Sequence, residues 1–81
     1  MKTTRYYETI VQRTHPEVRR EWVEWVIAHP VAREVQPDGR IRLWGLHPER
    51  SDRAIRVVLL EDGETVHNAF FDRSFKPTEQ S

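Results

Sequence analysis

The sequence predicts an α+β fold in which N-terminal helices pack on one face of a four-stranded antiparallel β-meander. Apolar residues recur at helical spacing between residues 18 and 26. After residue 30, four short segments rich in β-forming residues are separated by turn signals. Because the chain has only 81 residues, of which 37% are hydrophobic, we expect a single domain over residues 1–81 with a small core.

Two helical patterns occupy the N-terminal third of the chain. The segment from Tyr6 to Arg13 has apolar residues at helical spacing but also several β-forming residues, and we favour a short helix over a strand. The second helix is predicted to begin at residues 14–17, where Thr14 or His15 would cap it and Pro16 suits the first turn.

The second helix has a clear apolar face. Residues at the i, i+4, i+7 and i+8 positions of that face are expected in the core, and they are Val18, Trp22, Trp25 and Val26. His29-Pro30 would end the helix, because the residue before a proline is disfavoured in the helical conformation.

Four strands are predicted after this helix. They are residues 31–36, 40–46, 54–60 and 65–71. Pro37-Asp38-Gly39 and Asp62-Gly63 supply the turns of two hairpins, and the proline-containing, charged segment 47–53 is the longest loop. Residues 76–81 are predicted to form a flexible polar tail.

Alternation along the strands assigns their side chains to two faces of the sheet, and a register error of one residue would exchange them. The face predicted to meet the helices carries Ile41, Leu43, Ile55, Val57, Leu59, Val66 and Phe70. The opposite face, which we call the outer face, is predicted to carry Arg40, Arg42, Trp44, Arg56, Val58, Leu60, Thr65, His67 and Ala69.

Composition limits the function classes. Thirteen basic and thirteen acidic residues cancel, which disfavours a general nucleic-acid binder, although residues 40–60 hold five arginines against two carboxylates. The absence of cysteine excludes a disulfide framework and a Cys-based zinc site and fits a reducing cytoplasm. No segment approaches the roughly 18 to 20 apolar residues that cross a bilayer, so we expect a soluble, cytoplasmic protein without membrane contact.

The candidate functional side chains lie on the predicted outer face. Arg42, Arg56 and His67 would be neighbours on three adjacent strands, where two guanidinium groups suit a phosphate and an imidazole can transfer a proton. Trp44 beside them would stack on a base. This set suits RNA binding or phosphodiester cleavage. The alternative is a solvated sheet face on which Trp44 covers apolar neighbours or a subunit contact.

The end of the last strand carries two further charges. Asp72 and Arg73 would pair with each other or with solvent, or Arg73 would reach toward Arg42. The four histidines lack metal-site spacing, and there is no Gly-rich phosphate loop or nucleophile motif. We therefore predict neither a metal nor a cofactor.

Four segments carry a resemblance to known proteins, namely His15–Val18, Ala28–Pro30, Asp38–Gly45 and Arg56–Phe71. Through them the chain resembles small bacterial and phage-associated domains related to the BrnT and RelE-like ribonuclease toxins. The resemblance implies a helical pair on an antiparallel sheet, with metal-independent RNA cleavage restrained by an antitoxin. It also implies cationic and acid–base catalytic roles for Arg42, Arg56, His67 and Arg73. Trp44 and Arg40 are the predicted RNA-binding residues beside them.

Two functions therefore stay open at the level of sequence. The first is a RelE-like toxin or toxin-derived ribonuclease, with RNA and an antitoxin protein as partners. The second is a non-enzymatic interaction module, in which Trp44, Val58 and Leu60 form an apolar patch that binds a partner or makes a homodimer.

Overall fold

The computed structural model describes residues 1–75, in which two helices pack on one face of a four-stranded antiparallel sheet. Helix α1 is a π-helical segment, Tyr7–Val11, that continues into an α-helical turn, Gln12–Thr14, and helix α2 spans Arg20–Ala28. The strands are β1 (Ala32–Val35), β2 (Ile41–Gly45), β3 (Ile55–Leu59) and β4 (Val66–Phe71), and they lie in the order β1-β2-β3-β4.

The predicted α+β class and the four-stranded meander are confirmed. The loop between β2 and β3 contains one 3₁₀ turn, Pro48–Arg50. In the part of the chain that the structure describes, no helix has the length and apolar character to cross a membrane. The tail predicted at residues 76–81 lies outside the described residues.

Helix α1 confirms the choice of a helix over a strand for the N-terminal segment. Its buried face consists of Tyr7 and Val11, whereas Tyr6 and Ile10 are exposed. The residues before α1 run along the free edge of β4, where Thr3 forms a parallel bridge with Val66.

Helix α2 begins at Arg20, so the predicted start at residues 14–17 was wrong. Thr14 belongs to the end of α1, where its hydroxyl donates a hydrogen bond to the carbonyl of Ile10. Pro16 separates the two helices, because a proline disfavours the helical conformation at the residue before it.

The buried face of α2 differs by one position from the predicted face. Trp22, Val23 and Val26 are buried together with Val18, which precedes the helix. Trp25 is only half-buried and packs its ring against the rings of His29 and His47. The prediction that Trp25 lies in the core was therefore wrong, since the helix turns Val23 toward the sheet instead.

Helix α2 approaches the sheet closely over Gly45 of β2. A Cβ atom at this position would lie 3.0 Å from Cγ2 of Val26 and 3.3 Å from the Val26 Cα. The absence of a side chain at Gly45 therefore sets the distance between α2 and β2.

Both predicted hairpin turns are present. Gly39 and Gly63 have φ angles of +92° and +72°, a conformation that favours glycine. In the second turn, hydrogen bonds from the Thr65 hydroxyl and then from the Thr65 and Glu64 N–H groups lower the pKa of Asp62 to about 2. The charged form of Asp62 therefore fixes the turn between β3 and β4.

Strands β3 and β4 pair with a β-bulge at His67. Val58 lies opposite Asn68, but the next residue, Leu59, lies opposite Val66. His67 is thus an extra residue in β4, and such a residue shifts the alternation of side chains along the rest of its strand.

The bulge overturns the predicted faces of two residues. Ala69 is 1% exposed and belongs to the core, where Val57 lies opposite it. Phe70 lies opposite Arg56 on the outer face. The faces predicted for β2 and β3 are confirmed, because both strands alternate without interruption.

Candidate functional site

The outer face is built from two cross-strand rows that run across all four strands. In the Arg42 row, the residues opposite one another are Glu34, Arg42, Val58 and Asn68. In the Arg56 row, they are Ala32, Trp44, Arg56 and Phe70. Neither helix packs on this side of the sheet, since both helices contribute to the core on the opposite face.

Asp72, the residue after β4, binds the Arg56 row. Its Oδ2 accepts hydrogen bonds from Nε and Nη2 of Arg56 at 3.0 and 2.8 Å, and from Nε1 of Trp44 at 2.9 Å. Its Oδ1 accepts from the backbone N–H and the hydroxyl of Ser74. Asp72 is only 7% exposed, and among the described residues it is the one buried charged side chain.

The charge of Asp72 is stabilised by these contacts. Burial acts to raise the pKa of the Asp72 carboxyl, but the hydrogen bonds from Ser74, Trp44 and Arg56 outweigh burial and hold the pKa well below its usual range. Asp72 is therefore a carboxylate at neutral pH, and it balances the guanidinium of Arg56.

Aromatic rings enclose the same arginine. The Arg56 guanidinium lies over the ring of Trp44 at 5.5 Å and over the ring of Phe70 at 5.0 Å. Phe75 stacks on Trp44 with the ring centres 5.0 Å apart. The structure thus brings together two residues of the predicted site, Trp44 and Arg56, but both are engaged within the protein and Trp44 is only 8% exposed.

The other two arginines of the predicted outer face also have carboxylate partners. Nη1 of Arg42 lies 3.2 Å from Oε1 of Glu34, its neighbour on β1. Nε of Arg40 lies 3.9 Å from Oδ2 of Asp38 in the adjacent turn. Because the side chains of both pairs are partly exposed to solvent, each ion pair contributes little to stability.

His67 lies at the bulge, where its contacts go to the N-terminal segment. Its Nδ1 is 3.1 Å from Oγ1 of Thr4, and its ring stacks on the ring of Tyr6 at 4.8 Å. Burial, followed by the nearby charge of Arg40, lowers the pKa of His67. Arg40 is therefore the residue of the predicted site whose charge helps to lower the His67 pKa. The imidazole is neutral at neutral pH.

The pKa of His67 is expected to rise in an Arg40→Gln variant, because the substitution removes the positive charge that disfavours the imidazolium. An Arg40→Lys variant keeps that charge and should keep the low pKa. NMR titration of the imidazole C–H resonances measures both, and an equal pKa in the two variants would show that Arg40 has no such effect.

Since folding lowers this pKa from 6.5, the contribution of His67 to stability is complete above pH 6.5 and decreases as the pH falls below it.

Arg73 is exposed at the end of the described chain. It lines a shallow groove together with Arg53, Phe71 and Phe75, next to the loop between β2 and β3. One further arginine, Arg50, approaches this groove: its guanidinium group lies 5.3 Å from the ring centre of Phe71, and that of Arg53 lies 5.6 Å from the same ring.

The part that Asp72 plays in this site was not predicted from the sequence. Asp72 follows Phe70 by two residues, and its N–H continues the ladder by donating to the carbonyl of Ala54. Asp72 therefore lies on the same face as Phe70. This face could be assigned only once the bulge at His67 is known, because the bulge shifts the alternation of side chains. Asn68 and Phe70 were missed on the outer face for the same reason.

Within residues 1–75, no group of three or more histidine, aspartate or glutamate side chains is placed to hold a metal ion.

The fold and site define an α+β protein with a helical layer on one side of an open antiparallel sheet. The chain has no match among models of protein families, curated proteins or solved structures. The resemblance to the BrnT and RelE-like toxins stays a prediction.

Proposed function

We propose that the protein is a non-enzymatic interaction module that binds another polypeptide through the outer face of its sheet, in the simplest case a second copy of the same chain. The supporting observation is the position of Val58, Leu60 and Phe70. These apolar side chains are half-buried on a face that neither helix covers in residues 1–75, and the Phe70 ring also meets the ring of His15, which follows α1, with the ring centres 5.8 Å apart. An apolar centre with arginines around it is the usual composition of a protein interface.

The charges of the outer face suit contact between two copies. Each arginine on it has a carboxylate partner, so the face combines three ion pairs with an apolar centre: Arg40 with Asp38, Arg42 with Glu34, and Arg56 with Asp72. A twofold interface brings the same surface from both subunits together and therefore requires a surface that does not repel itself. Paired charges meet this requirement, whereas free arginines would oppose it.

A Val58→Glu variant is expected to be monomeric under conditions where the unmodified chain is a dimer. The substitution places a carboxylate at the centre of the apolar patch without removing a core side chain, because Val58 points away from the helices. Sedimentation equilibrium measures the mass of both proteins. Trp44 is a poorer target, since it is buried beneath Phe75 and bonded to Asp72.

Ser51→Glu is the matched control, because it adds the same charge at an exposed residue of the loop between β2 and β3. Retention of the dimer in Ser51→Glu and its loss in Val58→Glu would support the outer face as the interface. A monomeric unmodified chain would refute the homodimer, and the search for a partner would then move to pull-down with the Val58→Glu variant as the negative control.

The RelE-like ribonuclease is the second candidate. Its support is the neutral His67, which is able to accept a proton and lies within the influence of the Arg40 charge, together with the weak ion pairs of Arg40 and Arg42. The partners would be RNA and an antitoxin protein. Arg73 would serve as predicted from the sequence, whereas Arg56 and Trp44 would first have to leave their contacts with Asp72 and Phe75. Growth arrest on induced expression that a His67→Gln variant abolishes, together with RNA cleavage in vitro, would favour this candidate over the interaction module.

A further inference from the structure

The edge of the sheet formed by β1 is a second open surface. β1 pairs with β2 on one side and is the outermost strand on the other. Val31 and Val35, which flank and end this strand, are 53% and 56% exposed, the largest exposures of any bulky apolar residue in the described chain. The helices pack chiefly on β2, β3 and β4, and three of the four residues of β1 are exposed.

The pairing with β2 determines which backbone groups of β1 are free. The N–H of Gln36 donates to the carbonyl of Arg40 at 2.7 Å, in the same register that pairs Glu34 with Arg42. In antiparallel sheets, residues that bond to the neighbouring strand alternate with residues that point away from it. The N–H and C=O groups of Arg33 and Val35 therefore point outward, toward the position of a further strand.

The side chains beside these free groups form an alternating pattern of apolar, cationic and apolar residues. Arg33 lies opposite Leu43, a core residue, and so it shares the helix side of the sheet with Val31 and Val35. Arg33 is exposed and forms no ion pair with any residue in 1–75. It contrasts with Arg42 on the neighbouring strand, which is paired with Glu34.

A second copy of β1 fits this edge poorly. A strand added to this edge can bond only to the N–H and C=O groups that point outward. In a pair of β1 strands, outward-pointing residues of one copy must therefore lie opposite outward-pointing residues of the other. Of the antiparallel registers in this phase, one places Arg33 opposite Arg33 and the next places Glu34 opposite Glu34. A third places Val35 opposite Val35 but also Arg33 opposite Pro37, which has no N–H to donate. Like charges directly opposite one another are destabilising.

We infer that the β1 edge accepts an extended segment of a different protein, which adds a strand to the sheet and places a carboxylate opposite Arg33, between apolar residues that cover Val31 and Val35. Backbone hydrogen bonds to Arg33 and Val35 would supply affinity, and the charge at Arg33 would supply selectivity. This surface is separate from the outer face, and its test does not depend on the homodimer.

The probes are two short fluorescent peptides of alternating threonine and valine, in which the central valine is replaced by glutamate in one and by lysine in the other, so that valines flank the charge on the same face. The glutamate peptide is expected to bind on the order of fivefold more tightly in fluorescence anisotropy at low salt, because opposite-charge pairs stabilise and like-charge pairs destabilise cross-strand contacts. The Arg33→Glu variant should reverse this preference. Val35→Pro should abolish binding of both peptides, because it removes an outward N–H that β2 does not use.

Several results would overturn the inference. Absence of binding of the glutamate peptide up to about 1 mM, the weakest affinity of interest here, would do so. So would equal affinity for the two peptides, or unchanged affinity in Val35→Pro. Self-association of the unmodified chain that Val35→Pro removes would identify a second copy as the occupant and would equally refute the inference. Circular dichroism of both variants would check that the fold is retained.

Discussion

Replacement of Asp72 by alanine is expected to lower the free energy of unfolding by about 2 to 3 kcal/mol. The substitution leaves the guanidinium of Arg56 without its carboxylate and the indole N–H of Trp44 without its acceptor. Breaking a buried ion pair by removing one partner costs about 3 to 5 kcal/mol, but the Arg56 side chain is 24% exposed, so water replaces part of the lost interaction.

Urea denaturation followed by circular dichroism measures this loss. Asp52→Ala is the matched control, because the Asp52 carboxylate also pairs with arginines, Arg50 and Arg53, but is well exposed. Exposed pairs contribute little to stability, so the control should remain close to the unmodified protein. Equal free energies of unfolding in the two variants would show that the Asp72 contacts contribute no more to stability than an exposed ion pair.

A Gly45→Val substitution is expected to lower the free energy of unfolding by about 3 kcal/mol. Even the first atom of a side chain would lie 3.0 and 3.1 Å from the two methyl groups of Val26, and Val26 is fully buried. The larger side chain must therefore push α2 away from β2 or force strained side-chain conformations. Gly45→Ala should cost less, about 1 to 2 kcal/mol, for the same reason.

A double-mutant cycle tests this origin of the effect. Val26→Ala removes both methyl groups that a Gly45→Ala side chain would meet. The alanine at position 45 should therefore cost less in the Val26→Ala background than in the unmodified chain, by about 1 kcal/mol. If the two effects simply add, then the close approach of α2 is not what requires glycine at this position.

The parts of the fold that could be predicted are those fixed by local sequence patterns. The turns at Gly39 and Gly63 follow from residues that accept a positive φ angle, and the faces of β2 and β3 follow from uninterrupted alternation. The start of α2 could not be predicted from Pro16 alone, because the same proline both suits a first turn and ends a preceding helix.

The candidate site was predictable in position but not in its interactions. Arg42, Trp44 and Arg56 lie on the outer face as predicted, since β2 and β3 alternate regularly. The hydrogen bonds of Trp44 and Arg56 to Asp72 could not be deduced from the sequence. Asp72 lies on the same face as Arg56 only because of the bulge in β4, and no glycine or proline in β4 indicates a bulge. The ion pair between Glu34 and Arg42 could have been predicted. If residues are paired outward from the turn at Gly39, Glu34 falls opposite Arg42.

Strand β4 holds both ends of the described chain. At one end of the strand, Val66 donates to the carbonyl of Lys2 and accepts from the N–H of Thr4. At the other end, Asp72 follows the strand and binds across the sheet to Arg56. Separation of β4 from β3 would release the N-terminal segment, the Asp72 contacts and the core side chains of β4 in one step. The small domain is therefore expected to unfold cooperatively, with amide protons at both ends of β4 exchanging at the rate set by global unfolding.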